Sequence, residues 1–542
     1  MKILKRLLLL SLVSFSLSAT TLQYNIIPSP QKFHSLEGSF TLTDTTHYST
    51  DTLLSKNAIT YLQEHLKHNA GYTLKQDYTD HNTLIYKKNM SLQDEAYVLN
   101  IKPDSVHIEA STQAGFFYAT ITLMQLLDSY IWNVKVNSTP MKKWPLPACT
   151  IQDVPRYQWR GMMLDTARNF FSKAYVKKFI DRMAQHKLNV FHWHLTDDEG
   201  WRIEIKKYPL LTQVGAKRGP GTKLPFSLYP AMRGPKDKMQ EGYYSQEDIK
   251  EVVAYASARS INVLPEIDVP GHAKAAVMSY PELLQDPKDT SHYRSVQKVS
   301  KNTIDPSLES TYSFLDNVIQ EVTSLFPYAY IHLGGDEVPK GAWKNSPSVK
   351  RLMQKEHLKN SSEVEGYFFT RMDKILAKYH RTLIGWQEIR RINSQLRDET
   401  IIMAWRGNGK GLKSVNKGEN VIFSPSQFLY FDQQYVKSKN EYGHTWAGPT
   451  DTKEVYSYQP LHTKIKAKSR AYVNGVHACL WSETARNEKI ADYLVWPRGL
   501  AFSEVAWGSN KTKSWRQFKE SSLPLGLQRL RVQQINYRAK TP

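Results

Sequence analysis

Asp336 and Glu337 stand side by side directly after Tyr330-Ile331-His332-Leu333-Gly334-Gly335, an apolar run that breaks on two glycines. Such a run reads as a buried strand. The glycines let the backbone turn sharply and a ligand come close, so both carboxylates project from the strand's C-terminal mouth. Alone, an acid pair after a strand is more often a solvated loop or a helix cap. The same placement of a polar or aromatic group just past an apolar run recurs, however, at Arg168, Asp197 with Asp198, His272, Trp386, Trp405, Tyr430 with Asp432, and Trp481 with Glu483. Carboxylates, an arginine and flat aromatic faces gathered at one rim are groups that grip and cleave a sugar.

Glycoside hydrolysis usually needs two carboxylates astride the scissile bond, about 5–5.5 Å apart for retention of configuration and wider for inversion. Neighbours in sequence can hardly straddle an anomeric carbon. One of them can protonate the leaving oxygen while the other steers an acetamido group whose carbonyl oxygen attacks the anomeric carbon from within the substrate. On this reading Glu337 is the acid and base. Asp336 holds the acetamide N–H and stabilises the charge that develops there.

Bringing these groups to one mouth calls for a parallel barrel. From Val154-Pro155 onward strands and helices alternate, with strand signals at 160–165, 188–193, 261–266, 330–333, 382–386, 401–405, 421–423 and 476–480. Between them lie helical spacings. Ser172 caps a run with Val176, Phe179, Ile180 and Met183 on one face, and Ser245 opens another with Ile249, Val252, Val253 and Ala256. The unit repeats with Leu315, Val318, Ile319 and Val322, then with Phe368, Met372, Ile375, Leu376 and Tyr379. The spacing predicts an α/β fold, a (β/α)8 TIM barrel, whose helices after strands five to seven are weakly marked and whose rim loops are 215–242 and 435–458. Ahead of it, short alternating runs such as 105–110 and a helix over 113–127, with Phe117, Ile121 and Met124 on one face, predict a small α+β domain. Trp144-Pro145-Leu146-Pro147 reads as the linker. The resulting division is a leader over 1–19, the α+β domain over 20–148, the barrel over 149–510, and a C-terminal helical extension over 511–542 that packs on the barrel.

The leader has Lys2, Lys5 and Arg6, then an apolar run from Leu7, then small residues ending near Ala19, the pattern of a secretory signal. It predicts an exported protein, periplasmic or secreted. The apolar run is too short for a membrane span and no second one follows, so no transmembrane span is expected. The net charge is +21, three of it from the leader, and the basic residues are scattered. That distribution favours solubility and anionic surfaces, not nucleic acid. Two cysteines, Cys149 and Cys479, could pair in an exported chain or remain as two buried thiols. The oligomeric state is not encoded in any pattern.

The motifs together resemble the glycoside hydrolase family 20 β-N-acetylhexosaminidases over nearly the whole chain after the leader. The resemblance rests on Arg160-Gly161 through Asp165-Thr166-Ala167-Arg168, His192-Trp193-His194-Leu195-Thr196-Asp197-Asp198, Pro265-Glu266-Ile267-Asp268-Val269-Pro270-Gly271-His272, His332 to Glu337, Gly385-Trp386, and Leu480-Trp481-Ser482-Glu483. It implies an exo-acting, retaining, substrate-assisted enzyme that releases terminal β-linked GlcNAc or GalNAc from oligosaccharides or glycoconjugates, without cofactor or metal. It implies the same roles for Asp336 and Glu337 as the residues themselves do. Tyr430 would bond the acetamido carbonyl oxygen, and Trp386, Trp405 and Trp481 would wall the pocket for its methyl. Arg168 and Glu483 would bind ring hydroxyls, with Asp432 a further polar contact. Asp197 and His272 would form a relay behind Glu337, and Trp446 would line the site.

Two other readings compete. His192 and His194 share one side of a strand, as metal ligands in barrels do, which would give a metal-dependent hydrolase. A barrel that holds amino sugars without cleaving them is the second, although a binding module has no use for both acids.

Overall fold

The computed structural model describes residues 26–135, 140–224, 239–390, 394–461, 463–508 and 514–540. The leader and the middle of the 215–242 loop lie outside the described residues. The first sheet is built from β1 (Lys32–Leu42), β2 (His47–Thr50), β3 (Lys75–Gln76), β4 (Thr83–Lys88), β5 (Tyr97–Ile101), β6 (Ser105–Ala110) and β7 (Trp144–Asp153), in the order β1-β7-β5-β6-β4-β2-β3. Strict alternation in β5 buries Tyr97, Leu99 and Ile101 on one face.

Two expectations change here. Trp144-Pro145-Leu146-Pro147 is not a linker but the first half of β7. It pairs with β1 from Trp144 on, whereas β5 joins its other edge only from Cys149. The two prolines therefore sit where one edge of the strand needs no N–H donor. The helix Gln113–Leu126 is buried all round from Gly115, not on one face. It lies between the sheet and the barrel, where Tyr118 meets Arg160 and Trp507, and a helix covered on both sides is apolar all round.

The second sheet is a closed parallel barrel of β8 (Trp159–Asp165), β9 (Val190–His194), β14 (Asn262–Glu266), β15 (Tyr330–His332), β16 (Thr382–Trp386), β17 (Ile401–Ala404), β18 (Asn420–Phe423) and β19 (Val473–Leu480). All eight expected strands are present. Two small hairpins, β10 (Thr196–Asp197) with β11 (Gly200–Trp201) and β12 (Lys217–Arg218) with β13 (Gln240–Glu241), stand between β9 and β14. The register of the barrel sets Glu266 level with both His194 and His332 on the neighbouring strands. Ser172 caps Lys173–Gln185, and Ser245 with Asp248 closes a capping box on Gln246–Ser257. After β16 the described residues hold one 3-10 turn, Gln387–Ile389, in place of a full helix, which is why that part of the repeat is faint in the sequence.

Buried polar contacts join the two sheets. Arg160 of β8 forms an ion pair with Glu95 at 2.8 Å, and Asp153 accepts from Lys187 Nζ, Tyr97 OH and Trp507 Nε1. The tail helix Leu523–Val532 packs against the first domain as well as the barrel: Arg529 donates to Gln125 O, and Gly526 sits against Leu500 and Ile27. Cys149 and Cys479 are free and buried in different sheets. Burial pushes the Cys149 thiol up to about 12, so it is inert. Among the described residues no helix is long and apolar enough to cross a membrane.

Candidate active site

Arg168, Asp336, Glu337, Trp405, Tyr430, Asp432, Trp446, Trp481 and Glu483 line one cavity of about 440 Å³, each supplied from beyond the C-terminal end of a barrel strand. Asp197, His272 and Trp386 stand directly behind it. The turn that delivers the acids depends on Gly334 at φ +61°, where a Cβ would fall 1.8 Å from Asp268 Oδ1. Glu337 at φ +46° and His272 at φ +48° are non-glycine residues held in the left-handed region, a local cost of about 1–2 kcal/mol that the surrounding packing sustains.

His272 organises the charges. Its Nδ1 bonds Asp197 Oδ1 at 3.1 Å, and its Nε2 lies 3.7 Å from Asp336 Oδ2 and 3.7 Å from Glu337 Oε2. Burial opposes the imidazolium, but Asp197 and Asp336 outweigh it and hold the ring well above its ordinary range. Burial also opposes ionisation of Asp197, yet Arg168, at 2.6 Å, and His272 keep it well below the carboxylate range. Asp336 is pushed up to about 7, by burial first and, against the pull of His272, by Glu337. Glu337 is lowered, since the facing imidazolium and Gln297 overcome its burial; Gln297 Nε2 donates to Glu337 Oε2 at 3.3 Å. Of the two neighbours, Asp336 binds the proton more tightly.

The opposite wall is aromatic. Trp405 stacks on Tyr430 at 6.2 Å and 10°, Trp446 meets both edge-on, and Trp481 closes on Tyr430 at 6.0 Å. Burial keeps Tyr430 a neutral phenol, hence an O–H donor. Trp446 is 57% exposed and forms the outer lip. Trp386 does not line the cavity: it backs Trp481 at 5.6 Å and donates its indole N–H to Glu266. At the inner end Asp432 Oδ1 is buried without a hydrogen-bond partner in the protein, as is Asp336 Oδ1 among the acids, while Arg168 Nε lies 3.5 Å from Glu199 Oε2 and His444 Nε2 lies 3.8 Å from Glu483 Oε2. Groups so placed are complementary to the hydroxyls and amide of a ring.

Sequence reasoning missed Val296, Gln297, Gln434, Gly443, His444 and Thr445 in this lining. They sit on irregular loops that carry no periodic signal; only the nearness of His444 to Trp446 could have marked it. His192 and His194 face inward beneath the cavity, turned towards Glu266, Asp197 and His477, and neither lines it.

A parallel barrel whose strand ends carry adjacent acids, a cationic histidine behind them and an aromatic pocket defines a barrel glycoside hydrolase. Residues 157–510 match the catalytic domain of glycosyl hydrolase family 20, and residues 23–154 match domain 2 of the same family. The chain belongs to glycosyl hydrolase family 20. It is 37% identical over 486 residues to the beta-hexosaminidase of Vibrio furnissii, covering 88% of this chain and 76% of the relative. To the beta-hexosaminidase of Porphyromonas gingivalis it is 34% identical over 547 residues, covering 98% and 68%. Its fold superimposes with a TM-score of 0.88, at 36% identity, on the crystal structure of the GH20 exo beta-N-acetylglucosaminidase from Vibrio harveyi in complex with N-acetylglucosamine, covering 95% of this chain and 78% of that one.

Proposed function

We propose that this chain is an exo-acting β-N-acetylhexosaminidase that removes a terminal β-linked GlcNAc or GalNAc with retention, using the substrate's own acetamido oxygen as nucleophile. The observation that carries the reading is the pair of adjacent acids sharing one imidazole at 3.7 Å each, on the edge of an aromatic pocket. The inner end, with Arg168, Asp432 and Glu483, fits the hydroxyls of a terminal ring and gives the exo mode. Trp405, Trp481 and Tyr430 enclose the acetamido group, with the Tyr430 O–H directed to its carbonyl oxygen and Trp386 supporting the wall from behind.

In the first step Glu337 gives its proton to the leaving oxygen while the acetamido oxygen closes on the anomeric carbon, forming a cyclic oxazolinium. Asp336 accepts the acetamide N–H and stabilises its growing positive charge. Asp336 binds the proton more tightly beforehand, so substrate must reverse the order. The amide N–H stabilises the Asp336 carboxylate, and exclusion of water by the aglycone raises Glu337, which moves the shared proton to the acid. In the second step Glu337 takes a proton from the attacking water, with Asp197 and His272 holding it in position. Export through the 1–19 leader fits a substrate outside the cytoplasm, and recovery of a mature N-terminus near residue 20 from the periplasm or medium tests that part.

The test of function is a set of defined substrates. Release of free N-acetylhexosamine from chromogenic and oligosaccharide β-N-acetylhexosaminides is expected. Matched glucosides, which lack the internal nucleophile, are expected to react poorly, and a thiazoline mimic of the cyclic intermediate to inhibit tightly. Equal turnover of the glucoside would refute the mechanism.

A further inference from the structure

Beneath the cavity the barrel interior carries a layer of charge that neither chemical step uses. Glu266, fully buried at the end of β14, lies among four rings: His194 Nδ1 bonds its Oε2, His192 Nε2 is 3.0 Å from Oε2, His332 Nδ1 is 2.8 Å from Oε1, and Trp386 Nε1 donates to Oε1 at 3.1 Å. The register of β9, β14 and β15 sets this layer, because it places residues 194, 266 and 332 level across adjacent strands.

Hydrogen bonding fixes where the protons are. Trp159 Nε1 donates to His477 Nδ1 at 3.2 Å, which leaves the Nε2–H of His477 for His192 Nδ1 at 3.3 Å, and that in turn leaves the Nε2–H of His192 to face Glu266. Both rings are neutral, in keeping with burial, which holds His192 down to about 4. His194 differs. Its Nδ1 is on Glu266 and its Nε2 is 2.9 Å from Asp197 Oδ2, so both nitrogens face carboxylate oxygens and both carry protons. Asp197 in turn holds Arg168 and His272. Around His194 the further neighbours are the buried carboxyl of Asp268, within 4.8 Å of it and of Asp197, then Asp165, whose charge reaches it, and the Trp481 indole, edge-on at 5.0 Å.

We propose that Glu266 and His194 are positioning residues for hydrolysis: His194, clamped between Glu266 and Asp197, fixes the carboxylate that orients His272, and Glu266 holds the Trp386 indole behind the Trp481 wall. The proposal rests on the amino-sugar hydrolase reading and extends it one layer into the barrel. Buried ion pairs of this kind rarely add stability over an apolar filling of the same volume, so the role the proposal gives this one is to fix geometry. One pair thus braces both the proton-handling side of the cavity and its aromatic side.

The two members carry opposite charge, which separates positioning from packing. His194→Gln removes a cation beside Asp197, so the proton affinity of His272 and the acid pair rises and the basic limb of the kcat/KM–pH profile moves up. Glu266→Gln removes an anion and moves the same limb down. A shift of roughly half a pH unit or more is expected in each, with kcat on unactivated β-N-acetylglucosaminides falling ~10–100-fold while KM changes little. Thermal unfolding of each variant establishes that it is folded. Limbs that stay at the wild-type pH in the folded variants, or shift in the same direction, overturn the proposal. Should Glu266→Gln not fold, an unmoved limb in His194→Gln alone overturns it and an upward shift supports it. Wild-type preference for the N-acetyl substrate over its glucoside is measured alongside: loss of that preference refutes the parent reading, whereas intact preference with unmoved limbs refutes only the role of this pair.

Discussion

His272 Nε2 stands 3.7 Å from Oδ2 of Asp336 and 3.7 Å from Oε2 of Glu337, so one imidazolium serves two acids that are neighbours in the chain. Two buried carboxylates this close cannot both ionise unless a cation compensates them. Asp197, ionised by Arg168 and bonded to Nδ1, keeps His272 in that charged form. That cation lowers Glu337 but leaves Asp336 raised to about 7 by its burial, so below that pH the pair holds one proton whose location substrate can change, and the behaviour of the site under mutation and pH depends on where that proton goes.

Glu337→Gln removes the donor for the leaving oxygen and keeps its shape. Turnover of natural glycosides is expected to fall ~10²–10⁴-fold, with a smaller loss on an aryl glycoside whose leaving group needs no proton. Calorimetric binding of GlcNAc is expected to stay near that of the wild type. A variant that no longer binds would place Glu337 in recognition, not proton transfer.

Asp336→Asn keeps the size of the side chain but presents an amide where the acetamide N–H needs an acceptor that also opposes positive charge. A loss of ~10²–10³-fold in kcat is expected, the size of removing one preorganised electrostatic partner. An unchanged rate would mean that the acetamido group is not the nucleophile.

The eight strands and the acids at their ends were legible because buried parallel strands are continuous apolar runs and their C-terminal ends carry the chemistry. Arg168, Tyr430, Asp432, Trp481 and Glu483 lie on the cavity for that reason. What the sequence hid is non-periodic. Gln297 and His444 come from irregular rim loops, and Pro145 and Pro147 look like punctuation until the one-sided pairing of β7 is known. The inner layer around Glu266 was hidden differently. Its histidines alternate correctly along β9, but only the register between strands reveals that they meet one carboxylate.

The acid pair also sets the pH dependence. The form with one proton is the active one, since one carboxyl must donate and the other must be ionised. Asp336, raised to about 7 mainly by burial, releases the pair's last proton there, so kcat/KM is expected to decline above about pH 7. Glu337 is lowered, the facing imidazolium and Gln297 overcoming its burial, so the doubly protonated, inactive form appears only on the acid side of the ordinary carboxylate range. The profile is a bell with macroscopic limbs that belong to the pair. In Glu337→Gln, where only ionised Asp336 matters, residual turnover of an aryl substrate is expected to rise with pH without a basic limb. A wild-type profile still climbing at pH 8 would contradict this assignment.

The joint between the domains gives a prediction about stability that leaves the chemistry alone. Asp153, at the end of β7, accepts from Lys187 Nζ at 3.1 Å, Tyr97 OH at 2.8 Å and Trp507 Nε1 at 3.0 Å, all of them buried. Lys187 sits at φ +57° where the barrel's first helix turns into β9, and burial lowers its pKa against the support of Asp153. Asp153→Ala leaves the buried Lys187 ammonium without its counter-charge and takes the acceptor from Trp507 Nε1 and from the Gln31 backbone N–H, at a cost of about 3–5 kcal/mol. A clearly lowered thermal midpoint is expected, with kcat per folded molecule unchanged because none of these groups reaches the cavity. Asp153→Asn, which keeps an acceptor but not the charge, is expected to lie between the two. A midpoint equal to wild type in Asp153→Ala would show that the two sheets do not depend on this contact for their mutual support.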